Sequence, residues 1–226
     1  MAGESSIDPA RLRTPRAAAV AGIVFALLLG TSYVMLRLAI PAAPTDNGEW
    51  IEENAATVAG ALGLISFAGI AFLWFMGVVR DRIGRSEDQF FSTVFFGSGL
   101  LFVALMFVSA AIASAMLASY GTRPDEMGDS NVYRFARDLM YRSTNTYGMR
   151  MASVFMISLG TIWVRTRTMP RWLAIVTYAA ATVLLVTLSL SLWVSLVFPG
   201  WVLLISVYIL VTGMRPLDAA TPEDAG

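Results

Sequence analysis

The chain lacks cysteine, histidine and lysine altogether, so all 16 of its basic residues are arginine. Without cysteine it can form no disulfide, no thiol nucleophile and no thiolate-bound zinc or iron–sulfur centre. Without histidine it has no imidazole ligand for haem or a metal and no Ser-His-Asp triad. Without lysine it cannot hold retinal or a pyridoxal cofactor as a Schiff base. Charge is scarce as well: 14% of the 226 residues are charged, against ~25% in soluble domains. The 16 acidic residues offset the 16 arginines, leaving no net field to draw nucleic acid. We therefore expect no catalytic residue, no metal and no cofactor, and a role other than that of an enzyme.

What remains is apolar. The chain is 57% hydrophobic with a mean hydropathy of +0.66, which places it in the membrane class. A run of about 20 apolar residues crosses ~30 Å of hydrocarbon. Four runs qualify singly: Ala17–Ile40, Ala55–Val79, Phe90–Ser119 and Tyr147–Val164. The first exceeds the ~7–15-residue core of a signal peptide and has no small-x-small cleavage site after it, so it reads as a span. The last tract, Trp172–Gly213, is long enough for two. We place their turn at Pro199–Gly200, where proline can open a helix and glycine frees the backbone. Trp193, Phe198 and Trp201 would then lie at the membrane interface. A break near Ser189–Ser191, with Pro199 kinking the sixth span, is the alternative. The expected fold is all-α: a polytopic six-helix transmembrane bundle over residues 17–213, between a cytoplasmic segment 1–16 and a disordered tail 214–226.

The arginines orient the spans. Arg11, Arg13 and Arg16, then Arg80, Arg82 and Arg85, then Arg165, Arg167 and Arg171 fall on one side, while the 41–54 loop carries Asp46, Glu49, Glu52 and Glu53 and no basic residue. Positive residues stay inside, so both termini are expected in the cytoplasm. Arginine in place of lysine, with abundant alanine, fits a GC-rich bacterial gene, and we expect a bacterial cytoplasmic membrane. The 120–146 loop falls outside. Within it, "DSNVYRFARDLMYRS" reads as a helix capped by Asp129 or Ser130. Val132, Phe135, Ala136, Leu139 and Met140 would share an apolar face, with Arg134, Arg137, Asp138 and Tyr141 elsewhere. Such a helix either lies on the outer interface or extends the fourth span outward. The acids of the 41–54 loop lack the register of a calcium loop and more simply favour the positive start of the second span.

Small residues recur every fourth position in the first span, at Ala18, Gly22, Ala26 and Gly30. Ala56, Ala59, Gly60 and Gly63 continue the theme in the second span, and Ala110, Ser114 and Ala118 in the third. Such faces let helices approach closely. We expect them to pack inside the bundle; a seam with a second copy or another membrane protein is the alternative. The partner expected in every case is the lipid bilayer. Serines and threonines such as Ser98, Ser109 and Thr161 are expected to satisfy helix carbonyls. Two charges fall within spans, Arg37 and Arg150. They read as interfacial anchors that snorkel outward, or as anion-recognition sites.

"GVVRDRIGR", Gly77 to Arg85, has the pattern Gly-x-x-x-Asp-Arg-x-Gly-Arg. Through Gly77, Asp81, Arg82, Gly84 and Arg85 it resembles the loop between the second and third helices of major facilitator transporters. The resemblance implies that Asp81 caps a helix and pairs with arginine, in a cluster that latches two halves of a transporter. The family's larger number of spans, short third-to-fourth connection and midplane charges have no counterpart here. The same residues also suit an ordinary cytoplasmic helix end, with arginines at the negative end of the dipole and Gly84 as a left-handed cap. "RTRTMPRWLAIVTYA", Arg165 to Ala179, is similar to the start of a late span in small bacterial multi-pass proteins of unknown function. There Pro170 begins the helix, Arg171 meets phosphates and Trp172 sits in the interface. The expected role is that of an accessory, assembly or sensor component acting through helix packing and its outer loop. A small-solute transporter or channel, as a dimer of six-helix units, is the alternative.

Overall fold

The computed structural model describes residues 14–40, 50–83, 89–122, 130–166, 169–187 and 192–212. Nearly all of those residues are helical, with no strand among them. Helix α1 (Thr14–Ala39) takes Pro15 into its first turn, where no N–H is needed. Helices α2 (Trp50–Ile83) and α3 (Gln89–Thr122) follow, each 34 residues long. Helix α4 (Asn131–Tyr141) is capped by Ser130, whose hydroxyl accepts from the Tyr133 N–H at 3.1 Å. A π-helical stretch, Arg142–Gly148, then carries the chain without a break into α5 (Met149–Thr166). Helix α6 (Arg171–Thr187) starts after Pro170, and a 3-10 turn, Leu192–Leu196, leads into α7 (Val197–Thr212).

Among the described residues, five stretches are long and apolar enough to cross a membrane: Ala17–Ala39, Glu53–Arg80, Phe90–Thr122, Asn131–Thr166 and Trp193–Thr212. Helix α6 is apolar too but shorter, at 17 residues. Neighbours in sequence are neighbours in space. Helix α1 packs on α2, α2 on α3, α3 on α5 and α5 on α6, and α7 returns against α1. Short polar bonds tie the pairs. Ser32 Oγ donates to the Ala61 carbonyl at 2.8 Å, Thr161 Oγ1 meets the Tyr178 hydroxyl at 3.0 Å, and Trp201 Nε1 donates to Thr177 Oγ1 at 2.9 Å. Ser98, Thr161 and Thr182 bond carbonyls of their own helices as expected.

Because lipid is as apolar as leucine, contact and shape rather than escape from solvent hold such helices together. The main contact is aromatic. The ring of Phe72 lies 4.6 Å from Phe25, 5.2 Å from Phe155, 5.5 Å from Phe102 and 5.7 Å from Phe198. These rings come from α1, α2, α3, α5 and α7, and all are fully buried.

Several expectations are corrected here. Pro199 and Gly200 do not turn the chain: they lie in the first turn of α7, where proline is tolerated because its missing N–H had no partner to lose. Helix α6 ends at Thr187, so the connection falls at 188–191, outside the described residues. Phe198 and Trp201 consequently sit in the aromatic core, while Trp193 stays half exposed. The fourth span does not begin at Tyr147; its helix starts at Asn131. Within α4 the buried face is Tyr133, Arg137 and Met140, whereas Val132 and Phe135 are 67% and 70% exposed. The stacking of Arg137 over the Tyr141 ring, 5.4 Å from its centroid, accompanies its burial. The small-residue faces divide. Ala18, Gly22 and Ala26 are buried, and a side chain on Gly22 would fall onto Ser206 and Phe75. Ala56, Ala59, Gly60, Gly63, Ser114 and Ala118 instead face outward.

Candidate functional site

The spacing of Tyr33 and Arg37, four residues apart on α1, puts both side chains on one helix face beside Leu36 and Ile40. That face closes one side of a cavity of about 90 Å³, room for about three waters. Leu62 and Ile65 of α2 form a second wall, and Met106, Ser109, Ala110 and Ala113 of α3 a third. Met140 and Tyr141 of α4, Thr144 and Asn145 of the π-helical stretch, and Ser195 before α7 complete it.

Two polar atoms at this cavity are buried with no hydrogen-bond partner: the Tyr33 hydroxyl and Arg37 Nε. Leaving a buried polar group unpaired costs about 1–3 kcal/mol, and more for a charged one. Among the described residues Arg37 is the only charged one lining the cavity, so that lining is suited to an anion held by a guanidinium and a phenol.

The π-helical stretch has a structural reason to be there. Met149 N–H donates to the Thr144 carbonyl five residues back, which widens the turn. Ser109 Oγ donates to the Met140 carbonyl at 2.9 Å, fixing α4 to α3 at the cavity wall. Gly148 ends the stretch against α3, where a Cβ would meet the Ser143 carbonyl oxygen at 3.2 Å and Leu105 Cβ at 3.7 Å. Inserted wide turns of this kind recur at functional sites.

Beneath the cavity the bundle is closed. Phe102 and Phe198 lie about one turn below Met106 and Ser195, and Phe72 about two turns below Ile65. Among the described residues, buried aromatic rings thus lie between the cavity and the opposite end of the bundle.

The residues singled out from the sequence do not converge. Arg37 lines the cavity, half-buried, whereas Arg150 is exposed on α5. Gly77 lies inside α2 with open space around it. Asp81 and Arg82 are in the last turn of that helix, and Gly84 and Arg85 lie outside the described residues, as do Asp46 and Glu49. That end of α2 is opposite the cavity; there Arg80 stacks on Phe96 at 4.8 Å and Arg165 on Phe91 at 4.6 Å. Tyr33, Ser109, Thr144 and Asn145 were not singled out as site residues. Their signal was present: a tyrosine four residues before Arg37, and the polar run "RSTNTYG" heading an apolar span. In comparisons with known proteins, no family model, no curated protein and no solved structure matches the chain.

Proposed function

We propose that the chain is a multi-pass protein of a bacterial cytoplasmic membrane, an accessory or sensor component that binds a small anionic group in the Tyr33–Arg37 cavity. Six helices cross the bilayer in this reading, with both termini inside. Helix α6 makes the sixth crossing: its 17 residues rise about 25 Å, and Arg171 and Trp172 extend its reach into the headgroups. The arginine clusters then lie inside and the cavity opens toward the outer face.

One observation carries this reading: a largely apolar cavity that holds the unpartnered Tyr33 hydroxyl and Arg37 Nε and stops on a plug of phenylalanine rings. Binding without passage is what such a shape permits. An occupant would bear at once on α1, on α3 and on the π-helical stretch, so its presence would be felt in how the helices pack.

The absence of native cysteine makes the topology directly testable. A single cysteine at Asn131 should react with a membrane-impermeant maleimide added outside intact cells, and one at Arg16 only after permeabilisation. The opposite pattern overturns the orientation. Vesicles carrying the purified chain should pass acetate, phosphate and iodide no faster than protein-free vesicles. Flux that depends on the protein and is lost in Arg37→Gln would favour the transporter reading instead.

A further inference from the structure

The outward-facing small residues of α2 and α3 line a groove of about 770 Å³, bounded by Ala59, Gly63 and Ser66 on one side and Ala111, Ser114 and Ala118 on the other. Its inner end lies at Ile70 and Phe107, beside the point where α2 and α3 touch: a Cβ on Gly69 would overlap the Phe107 ring. From Ala59 to Ile70 the groove rises about 16 Å, near half the ~30 Å thickness of the hydrocarbon. Leu62 and Ala110 line both the groove and the cavity, so the two adjoin across these side chains.

We propose that this groove and cavity together form one site for an anionic lipid of the outer leaflet. The acyl chain lies along α2 and α3, and the headgroup turns inward past Leu62 and Ala110 to Arg37 and the Tyr33 hydroxyl. The proposal rests on the topology and cavity reading above. Three features select this occupant. The groove opens on lipid, and most of the side chains that line it are too short to fill it. Its depth matches one leaflet. And the cavity behind it holds a guanidinium nitrogen and a phenol, both buried and unpartnered, which an anionic headgroup would satisfy. A helix of a second copy laid in the groove would satisfy neither.

The test uses the full chain in nanodiscs of a zwitterionic phosphatidylcholine with a minor fraction of phosphatidylglycerol, read by native mass spectrometry after release. One phosphatidylglycerol per chain should be retained in preference to the zwitterionic lipid. Arg37→Gln should lower its occupancy about tenfold, the scale of one lost charged hydrogen bond. Ser114→Phe, at an exposed position, fills the groove without touching the core and should lower it similarly, and circular dichroism should show both variants fully helical. Retention of both lipids alike, or retention unchanged in both variants, overturns the proposal. Displacement of the lipid by glycerol phosphate overturns the groove's part and leaves the anion cavity standing. A disulfide between two copies carrying Ser114→Cys, formed in high yield, would show a protein helix in the groove and also overturns it. Failure of the maleimide pattern at Asn131 and Arg16 would instead remove the underlying topology.

Discussion

Replacing Phe72 with alanine tests the plug on which the binding-without-passage reading depends. The ring touches five others on five helices, the fifth being Phe75 of its own helix at 6.1 Å. Phe102, Phe155 and Phe198 are also packed on each other or on Trp201, so the neighbours cannot simply collapse inward. In water such a change removes ~3–5 kcal/mol, part of it the transfer of the ring out of solvent. Separated helices in a bilayer keep that ring in lipid, so the transfer part largely drops out and the lost contacts remain. A void the size of the existing 90 Å³ cavity, at ~24 cal/mol per Å³, gives about 2 kcal/mol. Lost ring–ring preferences add ~0.5–1.5 kcal/mol for each independent pair, and these pairs share one ring. The expected loss is about 2–4 kcal/mol. The control is Phe67→Ala, five residues earlier on the same helix with its ring 65% exposed, for which at most ~0.5 kcal/mol is expected. Unfolding in mixed micelles with increasing dodecyl sulfate, followed by circular dichroism and tryptophan fluorescence, gives both values. Equal losses for the two variants, or a Phe72→Ala protein as stable as the parent, would refute the claim that the rings form the packed centre.

Two further substitutions probe the contacts between helices by the same unfolding assay. Gly22→Ala should lose about 1–3 kcal/mol by overpacking, since its Cβ would press on Ser206 and lie 2.9 Å from the Phe75 ring, whereas Gly30→Ala meets open space and should be neutral or slightly stabilising. Trp201→Phe removes the donor to Thr177 Oγ1 while keeping an aromatic body, and should cost about 1 kcal/mol. The threonine still bonds the Leu173 carbonyl, so a loss well above that would point to packing rather than the hydrogen bond.

Much of the helical layout could be read in advance because it follows from local chemistry. The apolar runs beginning at Ala17, Ala55 and Phe90 needed only length and hydropathy, and Ser130 capped α4 as its side chain allows. Pro199 misled because a proline between two apolar stretches fits a turn and the first turn of a helix equally well. Which applies depends on whether the preceding 3-10 turn is packed, and that is decided by Phe25 and Phe102 reaching Phe198 from other helices. The cavity was hidden for a related reason. Arg37 was visible as a charge in an apolar run, but its neighbours at the site come from α2, α3, α4 and the π-helical stretch. The widening at Arg142–Gly148 leaves no periodic trace in the sequence.

The reversals in α2, α3 and α4 all turn on which side chains pack or pair best. In water, an apolar face marks the inside, and reading α4 that way put Phe135 inward and Arg137 outward. Within a span surrounded by hydrocarbon, an apolar side chain has little to gain by turning in, so the interior goes to rings that interlock; in α4 the inward place goes to an arginine that stacks on Tyr141. Small residues obey the same logic. Gly22 is buried because Phe75 and Ser206 come up against it, and Gly69 because Phe107 does. Toward the start of α2 from Gly69, a Cβ on Gly63 would meet open space, and the α3 residues lining the groove there are mostly small, Ala111, Ser114 and Ala118 beside Leu117. The same short side chains that were expected to pack inside the bundle therefore leave space between α2 and α3 unfilled. The groove and the cavity behind it are then two sides of a single packing deficit, placed where the only charge of the first span can reach it.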